Sequence, residues 1–376
     1  MRETTKTWAL GHHLALSYSP TQRVHIQLTA LIYRLTGPRP IAAKLVNALA
    51  AALGVAAFGL LSARIFGPPV GLASAALLGF WPSHVFYTSQ NFKEGLVGGA
   101  LMGALFFLTP QEGPHHRLRG IEAAAGLSLL VLLGFFRSYV MMAAAVALSA
   151  AAAAALLRCR GTRSATALTL AACLAAPLVY KVVMNTLLDG PLKASVDGPT
   201  SESLLIPTIT DAGIGEAYRP LSPRGITEFR RLRQYSDRLY AKGRFGREIG
   251  TQIYPDEKMD SWLDVLLFIP KSSFQVLFMP LPGLYPLEGK PGRILAAAEN
   301  LILLTIFALG VAGAARSGLE PRRMGLLLFF AAMAAGSSLL EFDLGSAGRH
   351  KLMYLPMFFP FAAEEALRLI RGKEPA

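Results

Sequence analysis

The chain has 376 residues, of which 53% are hydrophobic and only 16% charged, and its mean hydropathy of +0.41 is more apolar than a soluble domain with a polar surface tolerates. The net charge of +13 does not point to nucleic acid, because the basic residues fall in short loops between apolar runs, where they orient a protein in a bilayer. The two cysteines, Cys159 and Cys173, fall at a loop and inside the next apolar run, which excludes a disulfide framework and a zinc signature.

These properties predict an all-α membrane protein: a polytopic helical bundle of about nine transmembrane helices with one small extracytoplasmic helical domain. Apolar runs of the length a bilayer core requires, roughly 17 to 25 residues, are read at 41–61, 70–85, 96–108, 121–136, 140–157, 165–184, 294–315, 324–340 and 352–369. The runs 70–85 and 96–108 are short and require tilt or partial burial. The organisation that follows is an extracytoplasmic N-terminal segment (1–40), a six-span bundle (41–184), an extracytoplasmic loop domain with an interfacial element (185–292), and a three-span bundle with its tail (293–376).

Alternate loops and the C-terminal tail hold twelve Lys and Arg, while the opposite set holds four: Lys93, Arg137, Arg349 and Lys351. This asymmetry predicts a protein of the cell (inner) membrane with a cytoplasmic C-terminus and an extracytoplasmic 185–292 loop. It also starts residues 1–40 outside, although no apolar signal core precedes Ile41. The expectation is therefore that an N-terminal span is missing from this sequence, the alternative being a translocated N-terminus.

Between the second and third runs lies FWPSHVFYTSQNFKE, residues 80–94. Charged groups at membrane depth cost a few kcal/mol each, about 2.5–3.5 on insertion scales, so this polar, aromatic hairpin reads as part of a site. Lys93 and Glu94 are adjacent and point in different directions on a helix, toward different partners. Arg137 ends the fourth run in GFFRSY, and Arg349, His350 and Lys351 open the last in GSAGRHKLMYLP. Together they form a predicted clamp for a phosphate or diphosphate, since Arg matches phosphate oxygens bidentately. Lys93, Arg137, Arg349 and His350 are its candidate ligands, with Lys351 and Glu299 in support. Glu299, two turns into its run, needs a basic or hydrogen-bonding partner. Ion pairs that lock helices together are the other reading of these charges. No metal-ligand cluster is visible, and His115 and His116 read as a solvated loop.

The 185–292 loop carries thirteen basic and thirteen acidic residues. Ser222 as N-cap, Pro223 at the first helical position, and Ile226, Phe229, Leu232, Tyr235 and Leu239 at helical spacing predict a helix with an apolar stripe. Arg230, Arg231, Arg233 and Arg238 form its predicted basic face, able to meet lipid phosphates or an anionic substrate. The following SWLDVLLFIPKSSFQVLFMPLPG is apolar but interrupted by Pro270, Pro280 and Pro282, which predicts an element lying in the interface rather than a continuous span.

The succession LLGFWPSHVFYTSQNFKEGL, FFRSY, MPLPG, AAAENL and GSAGRHKLMYLP resembles the membrane glycosyltransferases of the GT-C superfamily. The likeness is nearest to bacterial members similar to the dolichyl-phosphate-mannose mannosyltransferase and lipid A aminoarabinose transferase groups. It runs from about Gln27 to Ala363, and its specific part is Pro82 to Glu94. The resemblance implies an active site on the outer face and a polyprenyl-phosphate sugar donor. It further implies a glycan, lipid or protein acceptor presented at the lipid bilayer. No cofactor is required by the sequence, and a divalent metal is left open. Such transfer needs a carboxylate for the acceptor hydroxyl and positive charge for the departing lipid phosphate. The superfamily usually places an Asp or Glu in the first outer loop, but the region before Ile41 offers only Glu3. That departure leaves the catalytic residue unassigned, with Glu94 as the acid/base candidate, and agrees with a missing span. An O-antigen ligase or polymerase-like enzyme shares many spans, a large outer loop and arginines. A non-catalytic transport or assembly protein is the third class, although a transporter's repeated halves are not seen.

Overall fold

Pro20, Pro40, Pro68, Pro82, Pro223, Pro291 and Pro321 each stand at the first residue of a helix, where a missing N–H removes no intrahelical bond. The computed structural model describes residues 20–109, 116–158, 163–184, 186, 222–245, 251–286, 291–318 and 320–372. In chain order the helices are α1 (Pro20–Thr36), α2 (Pro40–Phe66), α3 (Pro68–Gly79), α4 (Pro82–Thr88), α5 (Glu94–Leu108), α6 (His116–Arg158) and α7 (Arg163–Val183). They continue with α8 (Pro223–Phe245), α9 (Trp262–Phe278), α10 (Pro291–Arg316), α11 (Pro321–Leu340), α12 (Leu344–His350) and α13 (Phe359–Ile370). Among the described residues the fold is all-helical apart from one isolated antiparallel bridge, Gln252 to Asp343.

Among the described residues five segments are long and apolar enough to cross a membrane: Pro40–Phe66, Gly120–Arg158, Thr166–Val183, Pro291–Arg316 and Pro321–Leu340. The protein is a multi-pass membrane protein. Of the other expected runs, 96–108 is the shorter apolar helix α5, and the rest take other forms. Residues 70–85 divide into α3 and α4, because Trp81 is extended (φ −66°, ψ 119°) ahead of Pro82, as a residue before proline prefers. Runs 121–136 and 140–157 are joined in α6 across one non-helical residue, Arg137 (φ −155°, ψ 87°). The stretch 352–369 is not one helix but two 3-10 turns, Lys351–Met353 and Leu355–Phe358, followed by α13. Pro356 and Pro360 deny an α-helix its donors there.

The chain forms two compact units, one comprising Met1–Asp197, Ile306–Phe330 and Met353–Ala376, the other Gly198–Thr305 and Ala331–Leu352. In the first, α2 packs against α3 and α5, α6 against α5 and α7, and α13 against α3. Small residues allow the tightest approach, as is usual for helices in lipid. A Cβ at Gly95 would lie 2.3 Å from the Asn47 carbonyl oxygen, and one at Gly99 would lie 2.5 Å from that of Ala50. Phe307 stacks on Phe358 at 4.9 Å, and Phe66 meets Phe361 edge-on at 4.9 Å.

In the second unit α8 begins where the sequence places it, with Ser222 Oγ accepting from Gly225 N at 3.0 Å. Of the expected apolar stripe Ile226 packs against Met259, Val265 and Phe268, but the fully buried side chains Thr227, Arg230 and Gln234 are polar, and Tyr235 is 58% exposed. Arg230 is therefore no part of a basic face. The last carbonyls of α11 have no partner within their helix, and Arg230 caps them. Its Nη1 donates to the carbonyls of Leu339 at 3.1 Å and Glu341 at 2.8 Å, and its Nη2 donates to that of Ile253 at 2.8 Å. A cation at the negative end of a helix is favoured, and the ring of Phe268 lies 4.9 Å away. Burial pushes the guanidinium down to about 10, with Glu257 and Glu341 opposing, so it stays charged at neutral pH. Arg231 pairs with Glu228, and Arg238 donates to Gln252. The side chains of Leu232, Arg233 and Leu239 lie outside the described ones.

Helix α9 starts on a capping box between Ser261 and Asp264 and continues through Pro270. The proline the sequence reading treats as an interruption is thus accommodated inside a 17-residue helix. Val265 and Phe268 are buried, while Trp262, Leu263, Leu266 and Leu267 are exposed. An apolar face of this kind suits an element lying along an interface.

Candidate functional site

In the first unit three of the expected site residues come together. Glu94 opens α5, where the positive end of the helix favours a carboxylate. Its Oε1 lies 3.2 Å from Nη2 of Arg137, with side-chain exposures of 5% and 10%. The break in α6 swings Arg137 out of the helical path, and its Nη1 donates to the Tyr139 hydroxyl at 2.9 Å. Lys93 Nζ donates to the Phe136 carbonyl at 3.0 Å, supplying a donor beside the helix break. The two neighbours thus serve different partners, Glu94 the side chain of Arg137 and Lys93 the backbone one residue earlier. Two cations and one carboxylate leave this cluster with a net positive charge.

Asn47 of α2, which hydropathy does not mark, holds the cluster in place. Lys93 is the N-cap of α5 but makes no side-chain capping bond; instead Asn47 Oδ1 accepts from Leu96 N at 3.2 Å. Its Nδ2 donates to the carbonyls of Thr88 at 2.7 Å and Gln90 at 3.0 Å. One buried amide thereby joins the end of α4, the turn beyond it and the first turn of α5. A lone Asn in the run AAKLVNALAA was the available signal, since a polar side chain inside a membrane run must find partners.

His25 of α1 is the second residue missed. Burial pushes its imidazole below the usual histidine range, and the Asn91 backbone and the charges of Lys93 and Glu94 act on it as well. The ring is therefore neutral at pH 7 and borders the same turn as the Lys93–Glu94 pair. Its helix is too polar to register as an apolar run.

The second unit holds the other four. Asp343 caps α12, accepting from Ser346 N at 3.0 Å, and Arg349 and His350 fall in its last turn, the end at which cations are favoured. His350 Nδ1 pairs with Glu341 Oε1, and Glu341 Oε2 accepts from Ser346 Oγ at 2.8 Å. Glu341 ends the apolar run of α11 and was not singled out from the sequence. Lys351 is buried, with Nζ donating to Asn300 Oδ1 at 2.7 Å and to the Leu277 carbonyl at 3.2 Å. Asn300 Nδ2 in turn donates to the Pro280 carbonyl at 3.1 Å, and Glu299 acts on Lys351 electrostatically. Arg349 is half-buried. Among the described residues no group of three or more His, Cys, Asp or Glu is placed to hold a metal ion.

No protein-family model matches the chain, and no curated protein does. Among solved structures it is similar to the crystal structure of ArnT from Cupriavidus metallidurans bound to undecaprenyl phosphate. That similarity has a TM-score of 0.50 at 13% sequence identity and covers 92% of this chain and 49% of the other. The chain spans about half the length of that protein. At such identity the likeness speaks for the fold alone, an all-helical membrane fold.

Proposed function

We propose that the protein is an integral membrane glycosyltransferase that moves a sugar from a polyprenyl-phosphate donor to a surface glycan, lipid or protein acceptor on the outer face of the membrane. The observation that carries this reading is the Lys93–Glu94–Arg137 cluster, a partly buried group of net positive charge in a chain whose fold is like that of a protein bound to undecaprenyl phosphate. Positive charge of this kind stabilises a departing lipid phosphate, and a guanidinium such as that of Arg137, here engaged by Glu94 and Tyr139, is the side chain whose N–H groups match phosphate oxygens. Glu94 is the acid/base candidate of this proposal, and its pairing with Arg137 also orients the guanidinium. Arg349 and His350 are the further phosphate-binding candidates, with Glu299 and Lys351 supporting them. The proposed setting is the inner membrane, with the tail cytoplasmic and the 185–292 loop outside.

The test is sugar transfer from a polyprenyl-phosphate donor by the purified full chain and by Lys93→Ala, Arg137→Ala and Arg349→Ala. Transfer that falls tenfold or more in the first two supports the reading. Transfer that survives all three substitutions removes the phosphate-binding role, and no transfer or donor binding by the unaltered chain removes the function.

A further inference from the structure

Within the first unit, a cavity of about 580 Å³ opens among the ends of α2, α10 and α13 and the starts of α3 and α11. Among the described residues four arginines, Arg316, Arg323, Arg368 and Arg371, line it together with two carboxylates, Glu364 and Glu365. None of these residues belongs to the Lys93–Glu94–Arg137 cluster. We propose that the cavity binds the phosphate headgroup of an anionic membrane phospholipid.

The charges are arranged rather than merely gathered. Glu365 is buried and shared by two guanidiniums, pairing with Arg316 and lying 2.7 Å from Arg368 Nη2. One carboxylate thus fixes two arginines while neutralising one unit of charge. Arg323 lies 3.1 Å from both Glu364 and Glu320, and its guanidinium sits over the Phe66 ring at 4.4 Å. Arg371 has no carboxylate partner among the described residues. The lining therefore keeps a surplus of positive charge, and Arg316 and Arg368 remain about half exposed. A guanidinium held by a carboxylate on one edge still offers N–H groups on the other, which suits a phosphate bridging several arginines.

A lipid rather than a soluble phosphate fits the rest of the wall. Phe66, Pro69, Val70 and Leu367 add apolar lining to the cavity, and Leu72, Leu369 and Ile370 on the adjoining helices are exposed. A headgroup seated on the arginines thus has an apolar flank for its acyl chains. Basic pockets between membrane helices bind anionic headgroups in this manner.

The experiment is thermal unfolding of the detergent-solubilised full chain, titrated separately with phosphatidylglycerol, phosphatidylcholine and inorganic phosphate. A ligand that binds only the folded state raises the midpoint with its concentration. Phosphatidylglycerol is expected to raise it saturably, and the other two are not. Arg371→Gln should weaken that affinity roughly fivefold, and Arg316→Gln with Arg371→Gln roughly 25-fold, on the usual worth of a basic residue near an anionic headgroup. If the double variant does not fold, the single one decides, because Arg371 follows the last helix. Equal effects of both lipids, protection by inorganic phosphate alone, or full affinity in the variants would each overturn the proposal. So would a loss of phosphatidylglycerol affinity seen in Lys93→Ala but not in the arginine variants.

Discussion

Asn47 Oδ1 accepts the backbone N–H of Leu96 at 3.2 Å, so that a side chain from one apolar helix completes the first turn of another. The residue that should cap α5 itself, Lys93, instead donates to Phe136. The cap in trans is what permits a lysine there.

Replacing Asn47 by Ala removes the partners of Leu96 N and of the Thr88 and Gln90 carbonyls at a buried position. Each such loss costs about 1–3 kcal/mol, although gains in lipid are smaller. The expected destabilisation is on the order of 2 kcal/mol, read as a lower unfolding midpoint in detergent. An unchanged midpoint would show that the turn is held by other contacts.

Gly95 and Gly98 lie on one helix but differ in surroundings. A side chain at Gly95 meets the Asn47 backbone, whereas one at Gly98 meets nothing within 4 Å. Gly95→Ala is expected to cost about 1–3 kcal/mol through overpacking, and Gly98→Ala should leave the midpoint within about 0.5 kcal/mol, as is typical away from packed features. Equal effects would contradict the close approach of α2 and α5.

Arg137→Ala strands the Glu94 carboxylate in a buried site, at a cost of about 3–5 kcal/mol. Adding Glu94→Gln to that variant should recover much of the stability without restoring function. A double variant as unstable as the single would show that the pair does not compensate itself.

His25 is held below its ordinary pKa of 6.5, chiefly by burial. The folded state therefore binds the proton less readily than the unfolded state, and stability is lost as pH falls below about 6.5. Lys93 opposes protonation, while Glu94 and the Asn91 backbone favour it. Unfolding midpoints measured between pH 7.5 and roughly pH 5 should fall in the unaltered chain and fall less in His25→Asn. Parallel curves would place the pH response elsewhere.

The apolar helices were legible because continuous runs leave few alternatives, and the Ser222–Pro223 start of α8 was legible from capping chemistry alone. Where the reading failed, a local rule was outweighed by a partner distant in sequence. Helical spacing predicts a stripe through Tyr235, yet the buried position is Arg230, because two of the carbonyls it meets, those of Leu339 and Glu341, belong to residues more than a hundred positions later. The stretch 352–369 has the composition of a span, and only its prolines show why it breaks. Lys93, Glu94 and Arg137 stood out as charges in apolar surroundings. Asn47 and His25, uncharged and single, gave no periodic signal.

Equilibrium binding of undecaprenyl phosphate to the purified full chain addresses the phosphate site most directly. Saturable binding that weakens at least tenfold in Lys93→Ala and in Arg137→Ala, with Gly98→Ala unchanged, is the expected result. Binding of equal strength in all of these proteins would contradict it.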